Sequence, residues 1–243
     1  MDLRFLGSGD AFGSGGRFQA CLHVRAAGAE ILVDCGASSL VAMRRFGVDP
    51  AAVDAVVLSH LHGDHFGGLP FLVLASQFAG RTRPLVVAGP AGVEARVRGA
   101  MEVLFPGSSA VERRFSLEFV ELADRRETRL GAVAVTPYAV VHESGAPAFA
   151  LRLAGDGTVL AYSGDTEWTD ALVDVARGAA LFVCEAYFYE KRVRYHLDYR
   201  TLMAQRHRLE CRRLVLTHMS ADMLARLPLP GVDCADDGQR VVL

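Results

Sequence analysis

Ser59-His60-Leu61-His62-Gly63-Asp64-His65 places four groups that can bind a metal, His60, His62, Asp64 and His65, within one short stretch. The run before it, Ala55-Val56-Val57-Leu58, is continuously apolar and predicts a buried strand. Gly67-Gly68-Leu69-Pro70 after it predicts the start of a helix that Phe71 to Phe78 continues. The cluster is therefore expected on the loop leaving a strand, where a rigid sheet can aim several side chains at one point. Imidazole with carboxylate suits zinc, with manganese or iron as the alternatives. No packing role calls for alternating histidines there.

Upstream, Leu3 to Leu6, Ala20 to Arg25 and Glu30 to Asp34 read as strands. The glycine-rich Gly7 to Gly16 follows the first of them, but no helix comes next. A dinucleotide-binding fingerprint needs strand, turn and then helix, so a hairpin-type loop open to close backbone approach is the better account. His23 lies within the second strand and is read as structural. Asp34 ends the third strand, and Ser38 is expected to cap a helix running to Arg45.

Downstream, strands are expected at Leu85 to Val87, Leu117 to Leu122, Glu127 to Leu130 and Val133 to Val141, the last ending at His142. A helix is expected over Gly92 to Leu104, then a loop from Phe105 to Arg114. Ala148 to Leu153 and Thr158 to Tyr162 form a hairpin around Gly155-Asp156-Gly157, and its second strand exits into Ser163-Gly164-Asp165. Helices over Trp168 to Arg177 and Tyr199 to Leu209 flank strands at Ala180 to Val183 and Arg213 to Leu216, the second running into Thr217-His218. The tail beyond Asp222 is read as short. Val56-Val57-Leu58-Ser59-His60 resembles Leu214-Val215-Leu216-Thr217-His218, and Asp34 and Asp165 each follow a strand. With no linker or low-complexity segment, residues 1–243 are read as a single α/β domain of two similar halves.

Composition narrows the class. The chain has 243 residues, 51% of them apolar, enough for a substantial core. A formal net charge of -2 gives no global attraction to nucleic acid or anionic membrane. Lys191 is the only lysine among 26 basic residues, a compositional bias that argues against reading single arginines as phosphate binders. The five cysteines are odd in number and show no C-x-x-C spacing, so reduced thiols are expected. The N-terminus lacks the pattern of a signal peptide and no run is long enough to span a bilayer, which gives a cytoplasmic expectation.

Seven side chains then form a ligand set. One metal takes His60, His62 and His142; a second takes Asp64, His65 and His218; Asp165 bridges them. That is what a two-metal hydrolytic site requires. On these residues the chain resembles the metallo-β-lactamase superfamily, whose H-x-H-x-D-H signature stands at 60–65. The resemblance implies a four-layer αββα sandwich with the site along one edge. It also gives Asp34 a bracing role behind the metal ligands.

Within that superfamily the chain is similar to the ribonuclease Z-like branch. Glu185-Ala186 resembles its His-Glu-Ala-Thr motif, His196 the histidine of its His-Ser-Thr motif, and Thr217-His218-Met219-Ser220 its final ligand motif. Cys184 stands where that branch has histidine, and Leu197-Asp198 where it has Ser-Thr. A hairpin fills the place between His142 and Asp165 where ribonuclease Z carries its tRNA-gripping arm, so tRNA is not the expected substrate. The branch implies a homodimer.

The expected activity is phosphodiester hydrolysis by a metal-bridging hydroxide, on a small phosphodiester or a short nucleic acid. Asp64, His196 and Glu185 are the candidate catalytic residues, with His196 held by Glu185 to protonate the leaving alkoxide. The alternative for His196 is a surface histidine in a basic loop, and His207 is read as solvated. Ester, thioester or lactone hydrolysis on the same metals is the alternative activity. The basic run Lys191 to Arg213 is either a phosphate-holding face or a solvated helix face, and Tyr187 and its aromatic neighbours either stack on a base or pack the core.

Overall fold

A computed structural model describes residues 1–243. In the N-terminal half, β1 (Asp2–Gly7), β2 (Cys21–Ala26) and β3 (Ala29–Val33) form an antiparallel meander. Strands β4 (Ala55–Val57), β5 (Leu85–Gly89) and β6 (Leu117–Glu121) extend it in parallel. Parallel neighbours need crossovers, and α1 (Ser39–Arg45), α2 (Gly63–Phe66), α3 (Leu69–Phe78) and α4 (Val93–Leu104) supply them. The second half repeats the plan. β7 (Thr128–Leu130), β8 (Val133–Ala139), β9 (Phe149–Gly155) and β10 (Thr158–Tyr162) are antiparallel, and β11 (Leu181–Glu185), β12 (Leu214–Thr217) and β13 (Asp233–Cys234) follow in parallel. Its helices are α5 (Ala171–Ala176), α6 (Tyr199–Gln205) and α7 (Ala221–Leu224), and β14 (Arg240–Val242) returns to pair with β1.

Strands buried on both faces read as continuous apolar runs, and β4, β11 and β12 are buried at every residue. Successive residues serve different layers. Val57, Val183 and Val215 meet between the sheets. Val56 packs outward with Met43, Leu72 and Val97, and Phe182 outward with Leu172 and Leu202. The result is the four-layer αββα sandwich.

The sheet orders, β14-β1-β2-β3-β4-β5-β6 and β7-β8-β9-β10-β11-β12-β13, correspond strand for strand. Asp34 after β3 and Asp165 after β10 therefore occupy equivalent places. The likeness between 56–60 and 214–218 joins β4 to β12, which are not equivalent, so it reflects shared strand-end chemistry and not the repeat.

Several local expectations need correcting. Asp64 and His65 lie within α2, not on the loop, while His62 sits at its N-terminal boundary. Ser38 precedes α1 but makes no side-chain cap; its hydroxyl accepts from the Gln19 backbone N–H instead. The helix read from Trp168 starts at Ala171, and the one read to Leu209 tightens into a 3-10 turn at Arg206–Arg208. The strand read to Val141 ends at Ala139. Beyond Asp222 the tail carries two further strands; β14 is found through its pairing with β1, a contact with no local signature. The hairpin at Asp156-Gly157 is as expected, both residues taking the positive φ of a tight turn.

Candidate metal centre

The site lies where the parallel strands of the two sheets end. Asp34 leaves β3, Ser59 and His60 follow β4, Asp165 follows β10, Glu185 ends β11 and His218 follows β12. Asp34 and His218 take positive φ of 58° and 55°, strained for residues with a Cβ. Backbone hydrogen bonds hold both turns, from Asp34 N to Val57 O and from His218 N to Ser8 O. Gly36 lets the chain pass close against α2: a Cβ there would lie 2.2 Å from the Asp64 carbonyl.

Asp34 orients the histidines. His65 Nδ1 donates to its Oδ2 at 2.7 Å, which leaves His65 Nε2 facing the site. Ser59 donates to the same carboxylate through its backbone N–H and its hydroxyl, both at 2.8 Å. The Ser59 oxygen then accepts from His60 Nδ1 at 3.0 Å, so His60 Nε2 also faces the site. Tyr162 adds a fourth donor at 2.9 Å. One fully buried carboxylate thus fixes the tautomers of two imidazoles, one of them through a serine. Opposite, His142 Nδ1 donates to the Tyr195 carbonyl at 2.8 Å, turning its Nε2 inward.

Two groups of donor atoms result. Asp64, His65, Asp165 and His218 form one. His65 Nε2 lies 3.3 Å from Asp64 Oδ2 and 3.4 Å from Asp165 Oδ2. His218 Nε2 makes the same two approaches, 3.3 and 3.4 Å, and lies 3.4 Å from His65 Nε2. A tetrahedral ion with ligands at about 2.0–2.1 Å sets its donors about 3.3–3.4 Å apart, so the spacing fits such an ion. His60, His62 and His142 form the other group, with His62 Nδ1 3.0 Å from His142 Nε2. Asp165 Oδ2 is 3.9 Å from His60 Nε2 and stands between the groups. His60 Nε2 and Asp165 Oδ1 are buried with no hydrogen-bond partner. Buried polar atoms are rarely left so, and a cation would satisfy both.

The charge balance agrees. Burial pushes the Asp64 and Asp165 carboxyls up, yet the imidazoles of His65 and His218 pull both well below the usual carboxylate range. Burial pulls His218 down, but Asp165 and the Asp64 hydrogen bond carry it up to about 9. Burial likewise lowers His65, and Asp165, Asp64 and Asp34 together raise it well above its ordinary value. His60, His62 and His142 stay low, chiefly through burial. The buried Asp165 carboxylate and the partly buried Asp64 carboxylate therefore call for positive charge beside them, which a metal ion would supply in place of imidazole protons.

His196 joins this centre rather than the surface. Its Nδ1 donates to Glu185 Oε2 at 3.0 Å, and its ring stacks on Tyr187 at 4.7 Å between centroids. Glu185 is fully buried, and its other oxygen accepts from the Thr166 backbone N–H. Burial lowers His196, but Glu185 raises it above its ordinary value; burial raises Glu185. Asp165, Glu185, His196 and His218 also group together. That group shares Asp165 and His218 with the first, and Glu185 and His196 are occupied with each other, so it offers no separate ion site.

His23 pairs with Glu30 on β2 and β3, away from the centre, and His207 is exposed. Of the basic run, Arg208 pairs with Asp170 and Arg213 with Asp233, while Lys191 and Arg194 lie over Phe188 and Tyr195. Ser59 and Tyr162 were not singled out from the sequence. Ser59, next to a metal-type histidine after a strand, carried a usable signal; Tyr162 reads as a core strand residue. A cavity of about 720 Å³ is walled by Leu61, Phe66 and α4 and includes none of the donor residues. The donors of the metal stretch turn toward the sheet edge, and Leu61 and Phe66 turn away from it.

A family model described as Anti-Pycsar protein Apyc1 matches residues 1–227. A ribonuclease Z of Lachnoclostridium phytofermentans is 37% identical over 128 residues, which cover 53% of this chain. That match spans only 40% of the relative's own length. Human tRNase Z, short form, superposes with a TM-score of 0.81 at 22% identity, over 100% of this chain and 99% of that one. YhfI of Bacillus subtilis, a metallo-β-lactamase fold protein, superposes with a TM-score of 0.79 at 20% identity, over 99% of each chain. The sandwich is the metallo-β-lactamase fold.

Proposed function

The chain belongs to the Anti-Pycsar protein Apyc1 family, and from that premise we propose that it is a two-metal phosphodiesterase acting on a small phosphodiester or a short nucleic acid. The observation that carries the reading is the donor spacing of 3.3–3.4 Å among Asp64, His65, Asp165 and His218, beside the second group of His60, His62 and His142. The nitrogen and oxygen donors favour zinc, with manganese or iron as substitutes. When bound, two divalent cations supply Lewis acidity at the phosphoryl oxygens and a water of lowered pKa.

The protein's own groups do the rest. Asp34 and Ser59 hold His65 and His60 in one tautomer, so no reorientation is needed during turnover. His196, anchored through Nδ1 by Glu185 and planar against Tyr187, keeps Nε2 to protonate the leaving alkoxide. That dyad favours a poor alkoxide leaving group and hence a phosphodiester over an activated acyl ester. The direct hairpin from β9 to β10 leaves no arm for tRNA between His142 and Asp165. The shared core between the sheets supports reading residues 1–243 as a single hydrolase domain.

Turnover of bis(p-nitrophenyl) phosphate and of p-nitrophenyl acetate by the zinc- or manganese-loaded protein tests the assignment. The phosphodiester is expected to be the better substrate by kcat/KM. Preference for the acetate would transfer the site to acyl hydrolysis, and turnover of neither would remove the enzymatic reading.

A further inference from the structure

The imidazole of His196 has a second side. A cavity of about 220 Å³ adjoins it, lined by Glu167, Trp168, Arg192, Asp198 and Thr201 together with His196 itself. Two of its walls are tied to the metal centre. Glu167 and Trp168 follow Asp165 closely along the chain. The segment from Arg192 to Asp198 is pinned at Tyr195, whose backbone N–H donates to Glu167 Oε1 at 2.8 Å and whose carbonyl accepts from His142. Tyr195 takes a φ of 71° to make both contacts. The cavity is therefore a fixed feature of the site's rim and not a gap between mobile loops.

Its lining is mixed. Trp168 is half-buried, with the Arg208 guanidinium 5.7 Å from its ring centroid, and lines the cavity together with Arg192, an exposed cation. Glu167 and Asp198 supply acceptors, although Asp198 Oδ1 is engaged by the Thr201 N–H at 2.8 Å. The Thr201 hydroxyl is buried with no partner. An aromatic wall with a few polar groups is the make-up of a small-molecule subsite, but the volume falls below the roughly 300–1,000 Å³ of a drug-sized pocket. It suits one planar ring system and not a folded RNA.

We propose that this cavity is the leaving-group subsite: it holds a planar, hydrogen-bonding aromatic ring carried by the released alcohol, stacked on Trp168 and polarised by Arg192. The proposal rests on the phosphodiesterase reading and deepens it, because a ring seated there lies beside the imidazole assigned to protonate the departing oxygen. Trp168 and Arg192 are then specificity residues; neither is among the metal-ligating groups.

Trp168 is the only tryptophan in the chain, so its fluorescence reports this cavity alone. The metal-loaded protein is titrated with adenosine 5′-monophosphate, a product-like ring compound, and with ribose 5-phosphate, which keeps the phosphate and lacks the ring. Saturable quenching by the first and none by the second is expected. Arg192→Ala, at an exposed position, should weaken binding of the first about tenfold. By calorimetry, Trp168→Leu should weaken it by roughly tenfold or more, the scale of a lost base–aromatic stack. Equal affinity for both compounds, no quenching by either, or unchanged affinity in both variants would overturn the subsite. Turnover of bis(p-nitrophenyl) phosphate by the wild type is read in parallel. Its failure removes the phosphodiesterase reading, whereas turnover without ring-dependent binding removes only the subsite.

Discussion

Replacing Tyr162 by phenylalanine removes one hydroxyl and nothing else. That hydroxyl donates at 2.9 Å to the Asp34 carboxylate, which is fully buried and also receives both Ser59 donors and His65. Tyr162 is 2% exposed, so no water replaces the lost donor. A hydrogen bond to a charged group contributes about 1.5–3 kcal/mol. In a chain of this size each kcal/mol moves Tm by about 2–4 °C, so Tyr162→Phe should melt roughly 3 to 12 °C below the wild type. The aromatic ring still fills the core, and no cavity term is added. Calorimetry or circular dichroism measures the shift, and the Asp34→Asn background tests its route. With the carboxylate neutralised, the same substitution should cost only about 0.5–1.5 kcal/mol. A melting point within 1 °C (about the limit of the method) of the wild type, or an undiminished loss in the Asp34→Asn background, would refute the claim that Asp34 is the charged hub of the site.

Asp165→Ala should lose metal and turnover together, since Asp165 stands between the two donor groups; full occupancy by elemental analysis would contradict its bridging place. His196→Ala should keep its metals and slow turnover by about 10²–10⁴-fold, most for poor leaving groups; equal slowing across a leaving-group series would argue against general-acid action. Activity that needs protonated His196 is full below its pKa and falls as pH rises through it. Glu185 raises that pKa, so Glu185→Gln should move the alkaline fall of kcat to lower pH, and an unmoved limb would oppose the pairing.

The sequence carried the metal stretch because its donors are local: His60, His62, Asp64 and His65 sit together and need no long-range contact to be noticed. His142, Asp165 and His218 were recoverable because each follows an apolar run that had to be a strand. Tyr162 was not, since its partner Asp34 lies on the other sheet and a tyrosine in a strand looks like core. The place of β14 was hidden for the same reason. Its partner β1 opens the chain, and a short strand of Arg240–Val242 has no pattern of its own. The start of α5 was misread because Trp168 extends an apolar spacing that in the folded chain lines a cavity.

Elemental analysis of the purified protein by inductively coupled plasma mass spectrometry tests the central claim most directly. Two divalent ions per chain are expected, released together with activity by a chelator and restored with it. A protein that folds and turns over substrate with one ion per chain or none would contradict the account.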